Sequence, residues 1–266
     1  MNLASLLHEL RQRDRVLATA GWWMIAGLAA ATVLAALDTR LILGINPWIK
    51  PMKFFSSIAI FLWTMAWFMP EAEPRHARRI RFVRWTIVIA MAGEILLIGL
   101  QAARGTTSHF NTATLFDAIV FQTMGALIVA NTIAVATFLF SLPSASAPSR
   151  AGYIRGVRLG LAIFVAGSLE GFVMTTNLAH SVPGPDGGPG LPFVNWSTTS
   201  GDLRIAHFVA LHALQALPLA GYLLDRTGPV HPPTRATAVS LVAAAWAGVA
   251  AAALWQAASG HPLLLR

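Results

Sequence analysis

Seven apolar stretches dominate the chain, at approximately 16–37, 54–70, 85–103, 115–140, 157–178, 203–224 and 236–258. A helix rises 1.5 Å per residue, so about 20 apolar residues cross a hydrocarbon core of roughly 30 Å, and most of these stretches reach or approach that length. Lipid offers no partners to backbone N–H and C=O groups, which leaves helices as the way for separate apolar segments to span. The fold expected is all-α, an integral membrane bundle of seven transmembrane helices. Residues 1–266 read as a single polytopic membrane domain, with a short amphipathic segment at about 1–15. Only 11% of residues are charged, less than half the roughly 25% of soluble domains, so an additional soluble domain is not expected.

The basic residues give an orientation. Placing the N-terminus in the cytoplasm puts 13 of the 19 Lys and Arg on the inner side, among them Arg11, Arg13, Arg15, Arg75, Arg78, Arg79, Arg81 and Arg84. The outer side then holds Arg40, Lys50, Lys53, Arg104, Arg204 and Arg266. The positive-inside rule therefore favours a cytoplasmic N-terminus and an outer C-terminus. A net charge of +8 scattered over loops argues against a nucleic-acid partner, and the run RHARRIRFVR reads as an orientation signal rather than a nucleic-acid or anionic-lipid patch. The opening MNLASLLHELRQRDRVL precedes about twenty apolar residues, longer than a signal-peptide core, so the first span is expected to remain uncleaved. The use of arginine over lysine, with many alanines, points to a GC-rich bacterial genome and the inner membrane.

Ionisable residues inside these spans narrow the function. Glu94, Glu170, His207 and His212 lie in otherwise apolar helices. Such groups are costly in hydrocarbon and signal a lined cavity, a pairing partner or a bound ion. Glu94 and Gln101 are seven apart and share a helix face, as do Glu170 and Asn177; Asp117 and Gln122 are five apart, as are His207 and His212. The third and fourth spans thus echo the fifth and sixth, a pattern that internal repeats in transporters show and chance also produces. Gln101, Asp117, Asn177 and His207 fall toward the outer ends, and outer loops add His109 and His180. The expected site is an outward-facing pocket of His and carboxylate.

Three chemistries fit. With no cysteine, a metal must be held by nitrogen and oxygen. His207, His212 and Glu170 are the candidate metal ligands for Zn, Fe or Cu, or for haem, with His109 and His180 as further cofactor-binding residues. Glu94 and Glu170 are the candidate catalytic bases on a small-molecule or lipid substrate. Transport is the alternative, with the same carboxylates and histidines coupling protons or a cation to a small molecule; the kink-prone Pro218 would serve such motion. The third is a purely structural role in interhelical hydrogen bonding, alongside the small-residue packing of AAAWAGVAAAAL. His207 and His212 do not share a face as i, i+4 pairs do, so their spacing is a weak metal signature. No lysine lies inside a span, which excludes a retinal Schiff base, and Walker A, HExxH and Gly-x-Ser-x-Gly sequences are absent.

Two connections stand out. DTRLILGINPWIKPMK, between the first two spans, is broken by Pro, Gly and Asn yet apolar, and is expected at the outer interface or dipping into the bundle, with Trp48, Lys50 and Lys53 as anchors. HSVPGPDGGPGLPFVNWSTTSGD, between the fifth and sixth, is long enough either for a lid or for a loose tether. The inner connections SLPSASAPSRAGYIRG and DRTGPVHPPTR read as passive turns.

Seven spans with acids and histidines resemble, in helix count and ligand types, the membrane hydrolases of the ceramidase and progestin-receptor type. Those place a histidine pair at i, i+4 in the last span, whereas His207 and His212 lie five apart in the sixth, so their activity is not carried over. DTRLILGINPWIKPMKFF and SGDLRIAHFVALHALQALP resemble segments of uncharacterised bacterial multi-pass membrane proteins, a resemblance that implies the class and no chemistry. The lipid bilayer is the one partner expected outright, and assembly into oligomers is left open.

Overall fold

A computed structural model describes residues 2–143, 147–226 and 231–263. The middles of the two inner connections, and Arg266, lie outside the described residues. The helices are α1 (Leu3–Arg13), α2 (Arg15–Leu37), α3 (Ile49–Phe68), α4 (Ala77–Arg104), α5 (Leu115–Leu139), α6 (Ala151–Asn177), α7 (Leu203–Arg226) and α8 (Pro232–Ala258). Two short strands, β1 (Ser181–Val182) and β2 (Gly201–Asp202), pair antiparallel. Seven helices, α2 to α8, are long and apolar enough to cross a membrane, which makes this a multi-pass membrane protein by length and composition. Side chains such as Trp23, Leu96 and Trp255 stand exposed on those helices, as lipid contact requires.

Several helices outrun their apolar stretches. α4 starts at Ala77 rather than near 85, α6 at Ala151 rather than 157, and α3 at Ile49 rather than 54. Hydropathy marks only the part of a helix that suits lipid, while arginine is a good helix former and carries α4 back through its basic run. Pro51 is tolerated in α3 because it falls in the first turn, where its missing N–H would have had no helical partner.

The backbone groups into two compact units, residues 1–141 and 142–266. In the first, Asp14 ends α1 and caps α2, accepting from the N–H of Val16 and Leu17 at 3.1 and 3.0 Å. Its other oxygen takes Arg84 of α4 at 2.6 Å. Arg13 lies 4.2 Å over the Trp67 ring and donates to the Trp67 carbonyl at 3.0 Å, so α1 is fastened to the end of α3. Trp63 of α3 donates to the Ala18 carbonyl of α2 at 3.2 Å. The connection from α2 to α3 is a built turn: Ile42 and Ile45 exchange backbone hydrogen bonds at 2.8 and 3.1 Å, with Leu43 and Gly44 at φ 49° and 79° between them. Asn46 holds that turn by donating to the carbonyls of Ala35 and Asp38, and Trp48 donates to the Asp38 carboxylate at 2.9 Å. The paired Arg40 guanidinium holds the Asp38 carboxyl well below its ordinary range.

In the second unit α6 and α7 meet backbone to backbone. A Cβ added at Gly152 would lie 2.8 Å from the Gly221 carbonyl oxygen, and one at Gly160 would lie 2.7 Å from that of Ala213. Gly156 faces Leu217 and Pro218 as closely. These residues recur at intervals of four on one side of α6, the small-residue spacing by which membrane helices approach. Asp225 of α7 locks the register by accepting from the N–H of Gly152 and Tyr153 at 3.0 and 2.8 Å, capping α6 from its neighbour. α8 packs on α7 through Ala213, Leu217 and Ala243, and Trp246 donates to the Val209 carbonyl at 2.8 Å.

Candidate functional site

The six candidate residues divide between the units: Glu94 and His109 in the first, Glu170, His180, His207 and His212 in the second.

Glu94 lies about 15 Å from the end of α4 at 1.5 Å per residue, and it is 1% exposed, the one acidic side chain of that helix. One carboxylate oxygen stands 3.6 Å from Nε2 of His109, and the other, also buried, has no hydrogen-bond partner. His109 arrives there because α4 ends at Gly105 in the left-handed region, φ 75°, and the chain folds back. Asn111 braces the returning loop with bonds to Thr106 Oγ1 and the Thr107 carbonyl at 2.9 and 3.1 Å. His109 Nδ1 lies 3.1 Å from Lys50 Nζ and 3.0 Å from Ser108 Oγ. An ammonium only donates, so Nδ1 accepts and the ring proton sits on Nε2, facing Glu94. Phe54 and Phe110 flank the imidazole.

Gln101 shares the buried face with Glu94, as their spacing predicts, but serves a different group. Its amide donates to Asp117 Oδ1 at 2.8 Å, Arg104 reaches the same oxygen at 2.5 Å, and Thr114 donates to the other at 2.7 Å. Thr114 in turn caps α5 by accepting from the Asp117 N–H at 3.1 Å. Every lone pair that matters is matched, so this network fastens the start of α5 to the end of α4. Gln122 is exposed and takes no part.

In the second unit His207, near the start of α7, meets α6. Its Nδ1 lies 2.9 Å from the Gly167 carbonyl and 3.3 Å from Glu170 Oε2. A carbonyl only accepts, so Nδ1 carries the proton, and Nε2 is the basic nitrogen, with no partner among the described residues. The Glu170 side chain is 11% exposed, and neither oxygen makes a hydrogen bond. Close approach makes the pair: a Cβ at Gly171 would lie 3.2 Å from His207 Cε1. Asn177 is exposed and does not join Glu170, so the two hairpins use their polar positions differently.

His212 points elsewhere, as five residues around a helix require. Its Nδ1 donates to the Phe208 carbonyl at 2.7 Å, its ring lies 3.9 Å from the Phe208 ring, and Phe208 meets Trp196 edge to face at 5.4 Å. His180 belongs to the loop. Its Nδ1 pairs with Asp186 at 3.0 Å, and Asp186 also accepts from the N–H of His180 and Ser181. Burial raises the Asp186 carboxyl, but the His180 hydrogen bond and charge together with Ser181 outweigh it, and its pKa falls below the ordinary value. At the far end Asp202 accepts from Ser197 N–H at 2.7 Å and pairs with Arg204, which also donates to the Asn195 carbonyl. The 179–202 segment is thus a stapled loop carrying the β1–β2 pair rather than a loose tether.

Among the described residues no three His, Cys, Asp or Glu side chains are grouped so as to hold a metal ion. Lys50 and the Gly167 carbonyl are partners that sequence reasoning passes over: Lys50 reads as an anchor, and a carbonyl has no sequence signature. Comparison with family models, curated proteins and solved structures finds no match for this chain.

Proposed function

We propose that this membrane protein binds and releases protons at its carboxylate–histidine pairs and couples them to the movement of a small molecule. The observation that carries the reading is the state of His207: Nδ1 is held by a carbonyl and a buried carboxylate, and Nε2 is left basic and unpartnered among the described residues. An imidazole so oriented takes a proton at Nε2, and Glu170 balances the imidazolium charge. Glu94 with His109 is a second such pair, with Lys50 setting the tautomer. Unsatisfied carboxylate oxygens at membrane depth are expensive, and a proton, cation or polar substrate relieves them. The pairs face outward with a cytoplasmic N-terminus, as the arginine distribution favours.

A metal or haem centre on His207, His212 and Glu170, with His109 and His180 as further ligands, has less support, because His212 turns to Phe208 and His180 to Asp186. Catalysis by Glu94 or Glu170 would draw on the same proton transfers.

Protein reconstituted on a solid-supported membrane and given a pH jump should show a proton displacement current. His207→Ala and Glu170→Gln should abolish it, Glu94→Gln should reduce it, and His212→Ala should leave it. A current unchanged in monodisperse His207→Ala would sink the proposal. Stoichiometric bound metal lost in that variant would move the assignment to a metal centre.

A further inference from the structure

The basic run at the start of α4 is unused by the pairs above. It lies at the end of the first unit where α1 is fastened to α3 and Glu73 donates its N–H to the Ser141 carbonyl at 3.0 Å. Here an open cleft of about 330 Å³ is lined by Pro74, Ile80, Glu73, Arg81 and Arg84, among others. Its charges differ in state. Arg84 is tied to the buried Asp14 at 2.6 Å, and the Glu73 carboxylate is paired with Arg75. Arg81 is exposed and makes no hydrogen bond or ion pair among the described residues, and neither does exposed Arg78 one turn earlier. The cleft therefore presents an unmatched guanidinium, a planar fork of donors suited to a phosphate.

The surface beyond the cleft is apolar. Phe82, Trp85 and Ile89 are all exposed, at 58%, 49% and 62%. At 100° per residue they lie within about 40° of the line of Arg78. One helix face thus runs from Arg78 to a strip of lipid-facing rings and aliphatic groups, with Arg81 about 60° to the side of that line and Trp85 at the junction where tryptophan favours the membrane interface.

We propose that this cleft binds the phosphate of an anionic phospholipid, with Arg81 of its lining and the neighbouring Arg78, outside the lining, as donors and the acyl chains along Phe82, Trp85 and Ile89. A free phosphate would use the same donors but gain nothing from that strip.

Native mass spectrometry of the full chain, released from mixed micelles of equal phosphatidylglycerol and phosphatidylcholine, tests this. Wild type should retain phosphatidylglycerol preferentially. Arg81→Gln should lower that retention about fivefold, and adding Arg78→Gln should lower it again by a similar factor. Arg81→Lys should keep most of it, and Arg226→Gln, which removes a charge in the second unit, should leave it unchanged. Both test arginines are exposed and unpaired, so the variants keep their fold, checked by a monodisperse elution. Equal retention of the two lipids by wild type, or undiminished retention by the double variant, overturns the proposal. Displacement of phosphatidylglycerol by millimolar inorganic phosphate would make it a free-anion site and overturn the lipid assignment.

Discussion

Gly156→Ala is the sharpest test of how the second unit is held together. The new Cβ would sit 2.7 Å from the Leu217 carbonyl carbon and 2.8 Å from Pro218 Cα. Carbon atoms rest at about 3.5–4.0 Å, so α6 and α7 would have to part by roughly 0.8 Å. Both obstacles are backbone, so no rotamer change relieves them. Overpacking of this kind costs about 1–3 kcal/mol, and a rigid wall argues for the upper end. Alanine returns about 1 kcal/mol of helix propensity, leaving a net loss of about 2 kcal/mol. At about 2–4 °C per kcal/mol for a chain near this size, the melting temperature falls by about 4–8 °C. Gly248→Ala on α8 is the matched control, because nothing lies within 4 Å of its added Cβ and the position is exposed. Only the propensity gain acts there, and the melting temperature rises by about 2–4 °C. Thermal challenge of detergent-purified protein, followed by size-exclusion chromatography, reads both shifts. Gly156→Ala melting at or above wild type would refute the backbone-to-backbone packing, and with it the account of how His207 reaches α6.

Acid should loosen the 179–202 loop through Asp186. Its folded pKa lies below the ordinary carboxylate value, so its contribution is complete above the unfolded value of about 3.9 and is lost as pH falls through the folded one. Hydrogen exchange at the His180 and Ser181 amides, corrected for intrinsic rate, should speed up in that acid range in wild type. Asp186→Asn, which keeps an acceptor oxygen but cannot titrate, should show exchange that no longer depends on pH in that range; a pH-dependent profile in that variant would place the titrating group elsewhere. The orientation is directly testable because the chain has no cysteine of its own. On intact cells a membrane-impermeant maleimide should label Thr199→Cys and spare Ser5→Cys, and the reverse pattern would invert the assigned topology.

The spans are legible in sequence because lipid imposes one requirement on some twenty consecutive residues, and that sum survives local exceptions. Their ends are not, since the arginines before Phe82 suit a helix outside the membrane as well as they suit a loop. Part of the site is legible too. Glu94 and Gln101 do share a buried face, and His207 and His212 do diverge as five residues on a helix must. The glycines at 152, 156 and 160 carry a readable signal for close approach, which marks that face of α6 for a helix neighbour without naming α7. What no spacing rule supplies is the meeting of Lys50 with His109. It depends on where a ten-residue loop places one ring, and that follows from the left-handed turn at Gly105 and the bonds of Asn111.

The two carboxylate–histidine pairs are built by different means, and the difference bears on how each would work. Glu170 and His207 both sit on long helices whose backbones touch at Gly152, Gly156 and Gly160, with Asp225 fixing the register. The backbones that carry the pair are thus held in register, so this pair suits a proton site of constant geometry. His109 rides on a connection, and its hold on Glu94 is 3.6 Å, beyond hydrogen-bond reach. A small movement of residues 105–114 would either close that gap or release Glu94, whose second oxygen is already without a partner. Lys50 sits on α3 and not on that loop, so an excursion of the loop would part His109 from Lys50 as well as from Glu94. In the proposed cycle the pair between α6 and α7 therefore exchanges its proton at constant geometry, and the pair on the loop is the better placed to link proton exchange to the arrival of a substrate.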